Sequence, residues 1–405
     1  MSYQLKLNGT DTGSPVAGTG SAISFGDQTG VGTYTVEGSN LNGSCSYTLG
    51  MTGSVAVSVA TSTTWTGGTS VAWNTASNWS CGVPLATSDV TIGTGTFQPE
   101  ITSSPTIESL TINSGATLKV VATHTLTVTD IIDNDGTLTV ENNAGIIQDN
   151  DVTNTGSGTN IVYRNSASIM RQDYTLWSSP VVGQELQSFS PMTLSTRFYT
   201  YDPANDIYVA ETATNDFVEG TGYLIRVANN HPVTPTVWNG FFTGSELHNG
   251  DVDLAVTNGT YNAIGNPYAS PIDADQFISD NSLTEPLYFW RKTNNINQLT
   301  LPTSSYATYT TAGGAGTDPN PDDPLALTPN GVIQVGQGFI AQAASSQLSF
   351  NNQQRIADTN DQFLRLNAPE RHRIWLDLYT STQNINQMMV AYMAGATQGV
   401  DAAID

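Results

Sequence analysis

The sequence predicts an all-β chain: a small β-sandwich, a short right-handed parallel β-solenoid and a duplicated β-sandwich-like module, in series. Three observations predict it. Only 12% of residues are charged and 38% hydrophobic, with Gly, Thr, Asn and Ser filling the difference. Thr suits pleated surfaces, and Gly and Asn supply the positive φ of tight turns. A short motif recurs at spacings of 21 and 22 residues, the period of stacked coils. A longer pattern recurs once at an offset of 87 residues, with its parts in the same order.

Residues 1–60 carry the first element. Short alternating runs, Tyr3-Gln-Leu-Lys-Leu7, Ala22-Ile-Ser-Phe25, Gly32-Thr-Tyr-Thr-Val36 and Ser54-Val-Ala-Val-Ser-Val59, are separated by Gly-rich turns. Evenly spaced short strands of this kind predict a sandwich. The runs Pro15-Val-Ala-Gly-Thr-Gly-Ser-Ala-Ile-Ser-Phe-Gly26, Gly32-Thr-Tyr-Thr-Val36 and Met51-Thr-Gly-Ser-Val55 resemble an immunoglobulin-like repeat of large Bacteroidota surface proteins.

Residues 61–165 carry the solenoid. Gly115-Ala-Thr-Leu-Lys-Val120 recurs as Gly136-Thr-Leu-Thr-Val140 and again as Gly158-Thr-Asn-Ile-Val162. Each coil hides its apolar face only against its neighbours, so both ends need caps. Trp65, Trp73 and Trp79 crowd the leading end. They could stack on sugars as an open platform, but a cap on the first coil is the better expectation, since burying indoles closes an exposed apolar end. This Trp-rich pattern resembles the leading segment of bacterial β-helical surface proteins.

Residues 166–356 carry the duplication, in halves of about 166–255 and 256–356. Tyr174-Thr-Leu-Trp-Ser-Ser-Pro180 aligns with Tyr261-Asn-Ala-Ile-Gly-Asn-Pro267, and Arg197-Phe-Tyr-Thr-Tyr201 with Pro286-Leu-Tyr-Phe-Trp290. Phe217-Val-Glu-Gly-Thr-Gly-Tyr-Leu-Ile-Arg226 then aligns with Ile333-Gln-Val-Gly-Gln-Gly-Phe-Ile-Ala-Gln342, where the offset has grown to 116. A Pro- and Asp-rich insertion at 293–330 accounts for the growth, and such a segment reads as a long loop. One short helix is expected at Asp273 to Asn281. Residues 357–405 start a further β unit, with strands at Arg373–Tyr379 and Gln387–Met393.

Gly265-Asn-Pro-Tyr-Ala-Ser-Pro-Ile-Asp-Ala-Asp-Gln-Phe277 resembles a signature just upstream of the sorting domain in surface proteins exported by the Bacteroidota (Flavobacterium-like) type IX secretion system. Residues 357–405 resemble the region leading to such a domain. The resemblance implies an exported cell-surface adhesin-like protein, located outside the cell or on the outer membrane, with the type IX translocon as its partner during export. Asn266, Tyr268 and Asp273 could form a site, but Gly-Asn-Pro forces a tight turn, and a buried turn explains them better.

Composition bounds the chemistry. The 405 residues hold 12 Lys and Arg against 35 Asp and Glu, a net charge of −23, which repels nucleic acid and anionic membranes. No run of about 18 apolar residues offers a membrane-spanning helix. Both ends read as cuts: Met1-Ser-Tyr-Gln-Leu5 lacks the basic and apolar regions of a leader, and the chain stops soon after a strand-like run. Cys45 and Cys81 could form one disulfide in an oxidising compartment.

No standard catalytic motif occurs, and His124, His231, His248 and His372 are scattered. The expectation is a protein that is not an enzyme and needs no cofactor. Asp133, Asp135, Asp149 and Asp151 sit in oxygen-rich turns that could hold structural Ca²⁺, although they match no spaced calcium loop. The leading function is display and adhesive contact. An alternative is a carbohydrate-binding module, with Trp65, Trp73 and Trp79, or Tyr199, Tyr201, Tyr288 and Trp290, stacking on glycans. A polysaccharide-active β-helix enzyme is the remaining alternative; it would need converging carboxylates.

Overall fold

The computed structural model describes residues 1–40, 47–57, 61–290, 306–315 and 328–357, and the backbone of two strands at 373–379 and 384–391. The chain forms two compact units, Met1–Thr61 and Ser62–Asp405.

In the first unit, β1 (Ser2–Leu7) and β2 (Thr10–Ala17) form a hairpin. Asn8 and Gly9 join them, both at positive φ, the Asn-Gly turn whose twist matches the flanking strands. β3 (Gly32–Asn40) pairs with the other edge of β1, and β4 (Tyr47–Gly50) and β5 (Val55–Val57) share the far edge of β3. Alternation turns Leu5, Tyr34 and Val36 to one face. The 18–31 connection borders that face, and its Ile23 and Phe25 help line an open cavity of about 590 Å³.

The second unit opens with the solenoid. Its strands are β6 (Ser62–Trp65), β7 (Asp89–Ile92), β8 (Glu100–Ile101), β9 (Thr106–Ile107), β10 (Ser109–Ile112), β11 (Thr117–Val120), β12 (Thr125–Val128), β13 (Ile132–Asn134), β14 (Thr137–Val140), β15 (Gly145–Gln148) and β16 (Thr159–Ile169). They stack in three parallel sheets, β6-β7-β10-β13, β8-β11-β14-β16 and β9-β12-β15, making about four turns. The parallel register holds like residues in columns: Val90, Leu110 and Ile132; Val120, Val140 and Val162; Leu126 and Ile146. Each of these side chains is buried, worth about 1.5–3 kcal/mol apiece by area. The repeat's glycines are explained by crowding at the stacked turns. A Cβ on Gly136 would lie 2.3 Å from the Ala116 carbonyl oxygen, and one on Gly158 2.3 Å from that of Gly136.

The last coil replaces aliphatic side chains with buried amides. Asn134 donates to the side-chain oxygen of Asn160 (3.1 Å), Asn160 to the Ser245 carbonyl (2.7 Å), and Asn154 to the Gln148 side chain (2.8 Å) and the Leu247 carbonyl (3.1 Å). Satisfied amides end an apolar column without leaving an open edge. The chain then passes into the duplicated module without a break. β16 pairs in parallel with β14 and antiparallel with β21 (Thr236–Gly244), so one strand crosses the boundary expected at 165/166. Solenoid and module share one core cluster.

The first repeat contains β17 (Tyr174–Trp177), α1 (Leu186–Phe189), β18 (Phe198–Asp202), β19 (Ile207–Ala210) and β20 (Tyr223–Arg226), in sheet order β17-β20-β18-β19. After β22 (Val252–Ala255), the second contains β23 (Tyr261–Gly265), β24 (Ile272–Asp273), α2 (Ala274–Asp280), β25 (Leu287–Trp290), β26 (Tyr306–Thr310), β27 (Gly313–Ala315), β28 (Val332–Ile333) and β29 (Gly338–Gln342). Its order is β23-β29-β25-β26-β27. β30 (Gln347–Phe350) pairs with β22, and β31 (Arg373–Tyr379) with β32 (Asn384–Ala391). The strand order of the first repeat is reproduced in the second, and each repeat places its helix in the same connection.

The repeats also pair reciprocally. Trp177 bridges to Gln337, and Thr221 to Ile264. Offsets of 87 and 116 turn one pair into the other, as a local two-fold relation requires. α2 starts where the sequence places it, with the Asp273 side chain accepting from the backbone of Asp275 and Gln276. The four-residue α1 is an addition to the single expected helix.

Candidate contact surface

Alternation along the repeat strands sends one set of side chains into the cores and the other to the opposite face. Trp177, Phe198, Tyr223 and Ile225 enter the core shared with the solenoid, while Ile264, Leu287, Phe289 and Phe339 enter the core of the second repeat. On the opposite face Leu176, Leu224, Ala263 and Ile340 form a small buried floor. Eight half-buried aromatics pack around it: Tyr174, Tyr199, Tyr201, Tyr208, Tyr261, Tyr288, Trp290 and Tyr306.

The repeats supply equivalent positions. Tyr174 corresponds to Tyr261, Tyr199 to Tyr288 and Tyr201 to Trp290 under the sequence alignment. Tyr208 faces Tyr201 across β18 and β19, as Tyr306 faces Trp290 across β25 and β26. The Tyr306 hydroxyl donates to the Tyr208 hydroxyl at 3.1 Å, joining the two halves. Ring centroids are 5.9 Å apart for Tyr174–Tyr199 and 5.1 Å for Tyr201–Tyr208. The spacing continues at 6.0 Å for Tyr208–Trp290 and 5.3 Å for Trp290–Tyr306, then 6.4 Å for Tyr306–Tyr288 and 5.8 Å for Tyr288–Tyr261. All six pairs meet edge to face, the arrangement the ring quadrupole favours.

Polar groups are set among the rings. Arg226 lies opposite Tyr174 in register and Arg197 two residues before Tyr199; Arg197 donates to the Tyr199 hydroxyl at 3.2 Å. The Tyr201 hydroxyl donates to Asp206. Among the described residues of this face, three buried N–H groups have no acceptor: Nε of Arg197, Nε of Arg226 and Nε1 of Trp290. Desolvation holds the phenols of Tyr201, Tyr208 and Tyr288 well above the usual tyrosine value, reinforced by hydrogen bonding to Asp206, by the Tyr306 phenol and by hydrogen bonding to Tyr261 respectively.

This face unites four residues marked by the sequence, Tyr199, Tyr201, Tyr288 and Trp290, with four that were not. Tyr174 and Tyr261 open the aligned repeat motifs and so were legible in principle; Tyr208 and Tyr306 lie outside those motifs and emerge only from strand pairing.

The three tryptophans of the leading segment go elsewhere. Trp65, Trp73 and Trp79 are 2%, 0% and 5% exposed, so the alternative of an open stacking platform is corrected here. They pack edge to face at centroid distances of 4.9 and 4.7 Å, and Trp65 belongs to the first strand of the solenoid. The indoles of Trp65 and Trp79 donate to the carbonyls of Phe97 (2.8 Å) and Trp73 (2.7 Å). They plug the apolar end of the coil stack.

The proposed calcium residues also separate. Asp133 accepts from the Thr155 hydroxyl at 2.8 Å; Asp135 accepts from the backbone N–H of Ser157 at 2.8 Å and its hydroxyl at 2.9 Å. The backbone hydrogen bond first, and then the hydroxyl, lowers the Asp135 pKa below the usual carboxylate value. Asp151 packs its carboxylate against Gly250, and the Asp149 carbonyl accepts from Asn352. They brace turns and contacts to the module, and among the described residues no group of three or more His, Cys, Asp or Glu side chains is placed to hold a metal ion. Cys81 is exposed, and Cys45 lies outside the described residues, as do His372 and most of the 293–330 insertion.

The Gly265–Phe277 motif is a buried keystone. The Asn266 side chain donates to the carbonyls of Ser270 (2.8 Å), Ile333 (3.3 Å) and Gln334 (3.1 Å), and the Tyr268 hydroxyl to that of Gly250 (2.6 Å). The Arg355 guanidinium lies over the Tyr268 ring at 4.8 Å. It donates to Ser270, Asn249, Asn352 and the Ile146 carbonyl of the solenoid. Burial lowers its pKa to about 10.

A family model described as a domain of unknown function (DUF8693) matches residues 64–405. The chain belongs to this family. The DUF8693 region starts within β6, so it takes in the tryptophan plug, the coils and both repeats, and leaves the Met1–Thr61 unit outside. No curated protein matches the chain, and neither does any solved structure.

Proposed function

We propose that this chain is part of an exported cell-surface protein that acts by display and adhesive contact, with the aromatic face of the duplicated module as its contact surface. The observation that carries the reading is that face: eight half-buried rings gathered from equivalent positions of two repeats. Aromatics of this kind supply large contact area at low conformational cost. A braced solenoid is a fitting spacer, because each coil buries its core against the next. The proposed location is extracellular, on the outer-membrane surface, after passage through the type IX translocon. That part of the proposal is supported by the resemblance of Gly265–Phe277 and by the acidic composition. No catalytic role is proposed.

Two measurements test it. Protease treatment of intact cells should remove the protein when the translocon is present and leave it inside the cell when the translocon is deleted. Beads coated with the chain should adhere to a cell or polymer surface, and beads carrying Tyr199→Ala with Tyr288→Ala should not. Equal adhesion by both bead types would reject the face as the contact surface.

A further inference from the structure

We infer that the aromatic face binds a neutral polysaccharide chain. The inference rests on the contact-surface reading above and names the partner. Seven of the eight rings are tyrosines, each with an apolar face and a hydroxyl tip. A sugar ring is built the same way, with C–H groups on its faces and hydroxyls around its rim. A lipid or a purely aliphatic surface would bring no acceptor to the N–H groups of this face that lack one.

The unpaired donors point the same way. Arg226 is only 8% exposed, and its Nε–H, with those of Arg197 and the Trp290 indole, lacks an acceptor. Buried donors of this kind favour a ligand that brings oxygen acceptors. Because these atoms are covered, a sugar hydroxyl reaches them only when neighbouring groups shift, and the tyrosine rings it stacks on lose contact with solvent. The chain's net charge of −23 opposes the long-range approach of a uronate or sulfated polymer, and a neutral chain meets no such repulsion. The rings run in contact from Tyr201 through Tyr208, Trp290, Tyr306 and Tyr288 to Tyr261, so an occupant that covers the whole row is several sugar units long.

The test is affinity gel electrophoresis of the whole chain through gels containing a mixed-linkage β-glucan, a mannan or dextran, with alginate as the acidic control. Retardation is expected from at least one neutral polymer and none from alginate. Tyr199→Ala with Tyr288→Ala should weaken that binding by at least about tenfold, as truncating anchor residues at an interface does. Nitration of the unaltered protein with and without the retarding polymer gives a readout that needs no variant: Tyr199 and Tyr288 should be protected. No retardation by any neutral polymer overturns the inference. Undiminished binding by a folded double variant, or unchanged nitration, overturns it too. If the polymers fail while bead adhesion still depends on the face, the partner is of another class than a neutral polysaccharide: the inference falls and the contact-surface reading stands.

Discussion

The molecule uses clustered aromatic residues in two opposite ways. At the head of the solenoid, Trp65, Trp73 and Trp79 are at most 5% exposed and replace the missing preceding coil. On the duplicated module, eight rings remain half-buried over a thin floor of four aliphatic residues. Both clusters pack edge to face at similar spacings, so ring geometry does not separate them. Their partners do. The tryptophans pack onto the end of an apolar column, whereas the tyrosines lie on the sheet faces turned away from the two main cores. An aromatic cluster in a sequence marks a place of high interaction energy; strand pairing decides whether its rings are enclosed in the fold or left half-buried at its surface.

Truncation should separate the clusters most clearly. Trp73→Ala should cost about 3–5 kcal/mol in urea unfolding, the range for emptying a large buried aromatic site, while Tyr199→Ala on the face should cost about 1 kcal/mol. Equal costs would break the distinction and make the face an ordinary core. The next largest effect is expected where the two regions are tied together. Arg355→Ala leaves the Ile146 carbonyl and Asn249 without their donor in a buried site, and should cost about 2–4 kcal/mol by the same measurement.

Alkaline pH should sharpen the comparison, because the face is rich in phenols and the plug has none. Burial raises the pKa values of Tyr201, Tyr208, Tyr268 and Tyr288 in the folded state. Their contribution is therefore complete below the unfolded tyrosine value of about 10 and is lost as pH rises above it. Arg355 acts in the opposite sense, since its depressed pKa relieves a burial cost above about 10, but it is one group against four. Unfolding free energy should stay level up to roughly pH 9 and then fall. Tyrosinate absorbance should show these phenols ionising only as the protein unfolds. A stability that is flat through pH 11 would show that the phenols ionise freely in the folded protein. A small effect belongs to Tyr306→Phe, which removes the hydroxyl that bonds Tyr208 and should cost about 0.5–1.5 kcal/mol.

Much of this was legible in the sequence. The Gly-Thr-Leu-x-Val recurrence gave the solenoid register, because parallel coils place Leu118 on Leu138 and Val120 on Val140. The 87-residue offset gave the duplication, and its order survives in the strand order of both sheets. The aromatic face was half legible: Tyr199, Tyr201, Tyr288 and Trp290 stand in aligned motifs. Tyr208 and Tyr306 do not, since each joins the face through a cross-strand partner that periodicity along one strand cannot name.

The sequence by itself determined the all-β class, the coil period, the repeat and the buried turn at Gly265–Phe277, because each depends on local spacing and turn chemistry. The sequence also favoured a cap at Trp65, Trp73 and Trp79, which their burial bears out; only the tertiary structure decided that the tyrosines face outward. It alone revealed that β16 fuses solenoid to module, and that Trp177–Gln337 and Thr221–Ile264 form a reciprocal pair. These outcomes depend on which strands meet across long stretches of chain, and side-chain direction is fixed only when that pairing is fixed.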